Sequence, residues 1–244
     1  MKSPVNYNPE IIDIISKIVN SDNPGVKLEK SEDGTKVSCN YKSATYNFHI
    51  DFPSELFNFD GNEVNFYNFQ EFSKIVKTFK SPSISMNDSS FFLDMEKSSI
   101  EYILGDPNAI KKGFSKVISF EPDVTFNMSN ESIKNLNSCK SLFGSEFLTF
   151  VYDNDVLKAT LTSKTRGDNK YEEYYSVENS SGVEVDIKIF ALVVPTLSLG
   201  DWVVDISNDG LVRFTLQNNN GINLNLYCMK IDDWRLMING EIYE

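Results

Sequence analysis

Apolar residues recur at helical spacing in four stretches of the chain. In NPEIIDIISKIVN (8–20), Ile11, Ile14, Ile15, Ile18 and Val19 share one face, and Pro9 stands where a first helical residue is expected. FQEFSKIVKTF (69–79) places Phe69, Phe72, Ile75, Val76 and Phe79 together. SNESIKNLNSCKSLF (129–143) opens with Ser129 as a cap and Glu131 in the first turn, with Ile133, Leu136, Cys139 and Phe143 on its apolar face. FALVVPTLSL (190–199) is the weakest of the four, short, apolar nearly all round and interrupted by Pro195. The four starts, Pro9, Phe69, Asn130 and Phe190, lie 60, 61 and 60 residues apart.

After each helix the period changes to two. Four segments alternate apolar and polar residues about an acidic turn: 26–41, 83–96, 148–163 and 204–217. The turns are Asp33-Gly34, Asn87-Asp88, Asn154-Asp155 and Asp209-Gly210, pairs that tolerate the positive φ angles of tight hairpins. A strand-like run precedes each helix (SPVNYN, EVNFYN, DVTFNM, VEVDIKI). Another follows each hairpin: ATYNFHIDF (44–52), SIEYIL (99–104), YEEYYSV (171–177) and INLNLYCM (222–229). The repeating unit is strand, helix, strand, strand, strand, written four times. This predicts an α+β protein of two domains, 1–104 and 122–244, each of two β-α-β-β-β units. The Gly/Pro-bounded stretch 105–121 is the interdomain connector.

Composition narrows the function classes. With 41% apolar and 13% aromatic residues the 244-residue chain can bury a sizeable core. No apolar run is long enough for a membrane helix, and the N-terminus lacks the apolar stretch of a secretion signal. Three cysteines, Cys39, Cys139 and Cys228, fit no zinc or redox spacing, so a reduced, intracellular protein is expected. The 23 basic residues against 35 acidic ones give a formal charge of −12, which argues against a tight grip on a nucleic-acid backbone. No catalytic signature stands out. The single histidine, His49, sits in an alternating strand-like run and reads as packed or surface. Asp232-Asp233 reads as solvated, and Trp202, Trp234 and Tyr171 read as core or interface. A non-enzyme without cofactor or metal is expected.

Four such units in two domains, joined by an extended connector, resemble DNA sliding clamps. The length resembles the trimeric clamps of tailed bacteriophages and, more distantly, proliferating cell nuclear antigen. The nearest local likeness runs from NFYNFQEFSKIVKTF through SIEYILGDP, where a helix, a hairpin, an aromatic last strand and an Asp-Pro opening the connector come in that order. The segment DDWRLMINGEIYE (232–244) runs past the expected family pattern.

The resemblance implies helices lining a ring of three chains, with sheets outside. A ring holds DNA by topology, so weak phosphate contact suffices. It also implies a DNA polymerase and a clamp loader as partners, no membrane, a place in the cytoplasm (of the host, for a viral protein), and a further part in late transcription. Lysines opposite the apolar helix faces become DNA-facing: Lys17, Lys74, Lys77, Lys80, Lys134 and Lys140. The bland alternative is that they solvate amphipathic helices. Lys111, Lys112 and Lys116 of the connector face outward by the same likeness. A partner-peptide pocket falls on Tyr41, Tyr46, Phe114, Ile118 and Trp234, and the subunit interface on Tyr102, Ile103, Tyr174 and Tyr175. Two other classes stay open: a β-rich tail or capsid protein, and a monomeric or dimeric polymerase accessory subunit of the herpesvirus type.

Overall fold

The computed structural model describes residues 2–19, 25–32, 34–39, 47–80, 82–106, 118–163, 169–217, 220–231, 236–238 and 241–243. The chain clusters into two compact units. The first holds β1 (Ser3–Tyr7), α1 (Pro9–Ile18), β2 (Val26–Ser31), β3 (Gly34–Cys39) and β4 (Asn47–Phe52). It continues with β5 (Phe57–Asn58), β6 (Glu63–Phe66), α2 (Phe69–Thr78), β7 (Ser83–Met86), β8 (Ser90–Met95) and β9 (Ser98–Ile103). Its strands run in two series, β5-β1-β7-β8-β9 and β6-β2-β3-β4.

The pairing is reciprocal between repeats. β1 of the first repeat pairs antiparallel with β7 of the second, Val5 opposite Ile84. β6 of the second pairs with β2 of the first, Leu28 opposite Val64. Each repeat thus lends its first strand to the other's sheet, and neither could satisfy its ladder alone. Ile11, Ile14, Ile15 and Ile18 of α1 and Phe69, Phe72 and Val76 of α2 are at 5% exposure or less, whereas Ile75 is half-buried and Phe79, just past the end of α2, is 39% exposed. Phe66 centres an aromatic cluster with Phe69, Phe72 and Phe91, ring centroids 4.9, 4.8 and 5.4 Å away. Offset aromatic packing of this kind adds to area burial.

The second unit repeats the plan with β10 (Val124–Met128), α3 (Asn130–Phe143), β11 (Phe147–Asp153), β12 (Val156–Thr162), β13 (Tyr171–Tyr175) and β14 (Val177–Ser180). Then come β15 (Val185–Phe190), α4 (Val194–Leu197), β16 (Trp202–Ser207), β17 (Leu211–Leu216) and β18 (Asn223–Met229). Here β10 pairs with β16, Phe126 opposite Val204, and β11 with β15, Phe150 opposite Ile187. The short strands β5 and β14 sit beside β1 and β10, the first strands of repeats one and three. A separate hairpin, β19 (Leu236–Ile238) and β20 (Glu241–Tyr243), comes last.

The hairpins form where the alternation predicts them. Asn154 and Asp155 both have positive φ, 49° and 63°, the conformation of a type I′ turn. At Asn87 the side-chain oxygen accepts from the Ser89 and Ser90 amides, at 3.0 and 2.8 Å. Gly34 has φ 140°, and a Cβ there would meet the Phe52 carbonyl oxygen at 2.4 Å, so only glycine fits. The fourth helix departs from the expected 190–199. A 3₁₀ turn, Ala191–Val193, leads into a single helical turn. Val193, Val194 and Thr196 are poor helix formers, and the buried Trp202 indole donates to the Leu197 carbonyl at 2.7 Å, which closes the helix off.

Candidate nucleic-acid interface

The three long helices start and stop by the same local chemistry. Asn8, Asn68 and Ser129 cap them through side-chain oxygens that accept from the amides of Glu10, Glu71 and Ser132. Glu10, Glu71 and Glu131 stand in the first turns, and Lys17, Lys77 and Lys140 in the last, where each sign suits the helix dipole. A structural duty therefore accounts for half of the six expected DNA-facing lysines.

Ion pairing separates them further. Asp13 on α1 receives Lys17 at 3.0 Å and Lys77 of α2 at 2.6 Å. Burial pushes the Asp13 carboxyl up, but the hydrogen bonds from Lys77 and Lys17 outweigh it and hold it below the usual range. Gln70 adds a second tie between α1 and α2, donating to the Val19 carbonyl at 2.9 Å. Lys17 and Lys77 thus join two helices of the first unit. Lys74 and Lys134 stand mid-helix and exposed, with no ion pair among the described residues and no dipole to serve. Lys80 is likewise exposed and unpaired, and stands at φ 52° just past the end of α2. After α3 the left-handed residue is Gly144, φ 63°, one position nearer its helix. Helix α4 contributes no base, as its sequence requires.

The expected interface strands are sheet edges within their own units. Among the described residues β9 is hydrogen-bonded only to β8, and β13 only to β12. Ile103 and Tyr174 lie outward, 71% and 64% exposed. Tyr102 and Tyr175 each bond to a helix start within their own unit. The Tyr102 hydroxyl accepts from the Asn68 amide at 3.0 Å and donates to the Asn68 carbonyl at 2.8 Å, which pins the start of α2. Burial raises its pKa to about 12. The Tyr175 hydroxyl lies 2.6 Å from the Ser132 Oγ in the first turn of α3, and its ring packs on Phe126 at 4.9 Å. Among the described residues the same device, a tyrosine on the last strand of a repeat bonded to a helix start, is found in both units. No spacing rule in the sequence announces a bond between positions 34 residues apart.

Of the expected peptide pocket, Tyr41, Tyr46, Phe114 and Trp234 lie outside the described residues, as do Lys111, Lys112 and Lys116. Ile118 is described and is held at both backbone groups. The Tyr227 hydroxyl accepts from its amide at 3.1 Å, and Arg213 donates to its carbonyl at 3.4 Å. Arg213 is itself fixed by Asp205 at 2.8 Å and stacks over Phe120, while Thr125 donates to Asp205 at 2.7 Å. His49 is buried, with Nε2 2.7 Å from the Asp51 carboxylate. No cluster of three metal-ligating side chains occurs among the described residues, and no described helix is long and apolar enough to cross a membrane.

No protein-family model and no curated protein matches the sequence. Solved structures do. The A. fulgidus PCNA bound to the C-terminal region of FEN-1 superposes with a TM-score of 0.71 at 12% identity, covering 96% of this chain and 99% of that one. Proliferating cellular nuclear antigen from Entamoeba histolytica gives 0.70 at 12% identity, covering 95% and 100%. A chain of the PCNA2–PCNA3 complex from Sulfolobus tokodaii gives 0.69 at 13% identity, covering 94% and 99%. Over nearly its whole length, this chain has the sliding-clamp fold.

Proposed function

We propose that this chain is a sliding clamp, closing with copies of itself into a trimeric ring around duplex DNA and tethering a DNA polymerase to its template. The observation that carries the reading is the end-to-end likeness to solved clamps, which covers all four β-α-β-β-β repeats. Two features of the chain support it. The edge strands β9 and β13 are unlike surfaces, and unlike surfaces that pair head to tail close into rings. The exposed mid-helix lysines, Lys74 and Lys134, give the helices a local positive potential that a −12 chain otherwise lacks.

Within this reading Ile103 and Tyr174 meet across the subunit boundary, with Tyr102 and Tyr175 shaping the strands from behind. Lys74, Lys80 and Lys134 approach phosphates, and Lys17, Lys77 and Lys140 contribute from the helix ends. The pocket of Tyr41, Tyr46, Phe114, Ile118 and Trp234 takes a short partner peptide. The solved clamp carrying a FEN-1 C-terminal region supports that role. The protein acts as a scaffold without cofactor, served by a clamp loader. A viral polymerase, a host-cell cytoplasmic setting and a part in late transcription complete the proposal, on the likeness to phage clamps.

Sedimentation combined with DNA retention tests it. A discrete trimer that a loader places on nicked circular DNA, and that runs off linear DNA, is the expected result. Large assemblies would point to a virion protein. A salt-sensitive monomer that binds linear DNA tightly would point to a herpesvirus-type accessory subunit. Either outcome sinks the clamp reading.

A further inference from the structure

The main stretch of the second unit opens at Ile118. Both backbone groups of that residue are taken by side chains far along the chain. Its amide donates to the Tyr227 hydroxyl at 3.1 Å, 109 positions away, and its carbonyl accepts from Arg213 Nη1 at 3.4 Å, 95 positions away. Phe120 lies against the Arg213 guanidinium, whose carbon is 4.8 Å from the ring centre. Ile118 and Phe120 are half-buried, and Ser119 and Glu121 are exposed. The segment therefore meets the sheet at alternate positions, as an extended run does.

Arg213 reaches Ile118 because its neighbours aim it. Thr125, Asp205 and Arg213 stand directly opposite one another across β10, β16 and β17. Thr125 donates to one Asp205 oxygen at 2.7 Å, and Arg213 Nε and Nη2 both donate to the other, at 3.1 and 2.8 Å. That leaves Nη1 to turn to the Ile118 carbonyl. Burial holds the Tyr227 phenol above its ordinary range, while the bond from the Ile118 amide and the Arg213 charge pull the other way, so the three groups meet at one place.

Two points mark this contact as more than packing. Arg213 is the only arginine among the described residues. A lysine is a single compact charge with no planar face, and could not hold Asp205, the Ile118 carbonyl and the Phe120 ring together. An ion pair this buried, with Asp205 at 6% exposure, also adds little net stability over well-packed apolar residues. What it supplies is direction: it points a rigid guanidinium at the segment that enters the unit.

We infer that Arg213 and Tyr227 are positioning residues that anchor the interdomain connector, fixing where it enters the second unit and how Ile118 is presented to a partner peptide. The anchor takes hold inside the stretch 105–121 expected as connector. Presentation of Ile118 to a peptide rests on the clamp reading. The anchor itself does not, because all its contacts lie within the second unit.

The experiment uses the full chain with Tyr227→Phe, Arg213→Lys and the two combined. Tyr227→Phe removes only the acceptor of the Ile118 amide, and Arg213→Lys keeps a cation beside Asp205. Amide exchange in 118–120 should become at least about tenfold faster in each variant, with β16, β17 and α3 unchanged. The two side chains hold one residue as a unit, so the double variant should exchange there within about twofold of the faster single. Exchange in 118–120 equal to wild type would overturn the anchor. So would acceleration spread over β16 and β17, the mark of a merely structural role, and so would effects that multiply in the double variant. Under the clamp reading both single variants should sediment as wild type does, while processive synthesis on a primed circular template falls at least about fivefold. Faster exchange with undiminished processivity would overturn the part of the anchor in peptide binding. A wild type that forms no trimer would overturn the clamp reading, and the exchange result alone would then decide the anchor.

Discussion

At the scale of single residues, two hydroxyls and one lysine carry consequences out of proportion to their size. Tyr102 is the clearer case. Removing its hydroxyl in Tyr102→Phe leaves the Asn68 backbone without its partner and should cost about 1–2 kcal/mol, read as a lower midpoint in a urea melt with unchanged slope. Burial of the same phenol fixes a pH dependence. Burial raises the phenol from 10.0 to about 12, so folding favours the protonated form. Its contribution is whole below pH 10 and is lost as the pH climbs from 10 to 12. Wild type should therefore lose stability over that window more steeply than Tyr102→Phe does, by thermal melts at successive pH values. Tyr175 holds the start of α3 in the same way through Ser132. Lys80 is the third residue. A lysine at φ 52° pays for a left-handed backbone that Gly144 occupies freely after α3. Lys80→Gly should raise stability by roughly 0.5–1 kcal/mol. Under the clamp reading it should also weaken DNA retention, which would explain a lysine at a glycine's position; retention equal to wild type would leave the strain without that reason.

At the scale of elements, the helix faces and sheet edges make separate predictions. Lys77 is unsuitable for charge reversal, because a carboxylate there would face Asp13 and part α1 from α2. Lys74→Glu with Lys134→Glu avoids that fault. Both sites are exposed and unpaired, so stability should stay within about 0.5 kcal/mol per site, while processive synthesis with a loaded polymerase falls. Undiminished processivity would return both lysines to plain solvation. For the edge, the register decides which residue to alter. Leu104 donates to the Ser89 carbonyl at 2.9 Å. Donors alternate along a strand, so the Tyr102 amide faces β8 and the Ile103 amide faces out. A proline at Tyr102 would break the sheet from within, whereas Ile103→Pro removes only an outward donor. Ile103→Pro and Tyr174→Asp should each give folded, soluble monomers or open oligomers by sedimentation. Trimers surviving both changes at micromolar concentration would place the interface elsewhere.

At the scale of the whole molecule, the net charge of −12 and a DNA-encircling role are compatible only if retention is topological. Phosphate neutralisation makes affinity fall steeply with salt, by a slope near the number of contacts. A ring should instead stay on covalently closed circles at salt concentrations that strip it from linear duplex. Equal loss from both substrates on raising salt would mean ordinary electrostatic binding and would count against the ring. The reciprocal strand exchange within each unit makes a related point about folding. β1 waits for β7, about 80 residues later, and β10 for β16, so non-local pairing must precede a finished sheet.

Local chemistry was legible in the sequence because its causes lie within a few residues. The cap at Ser129 and the first-turn acid Glu131, the Asn154-Asp155 turn, the apolar stripes of α1, α2 and α3 and the alternation of all four hairpins arise from periods and propensities that a short window contains. The even spacing of those elements also exposed the fourfold repeat, and with it the clamp likeness. Tertiary structure alone decided the rest, because each remaining contact joins positions far apart along the chain. It set which sheet β1 and β6 enter, gave the Tyr102 and Tyr175 hydroxyls a bond to a helix start, and bound Lys77 to Asp13 while Lys74 has no ion pair among the described residues. It also gathered Lys140, Lys188 and Lys230 near the Ser145 hydroxyl, which has no hydrogen-bond partner among the described residues. A residue's spacing tells which face it shares with its neighbours in sequence. What that face meets is settled by packing, and packing is not periodic.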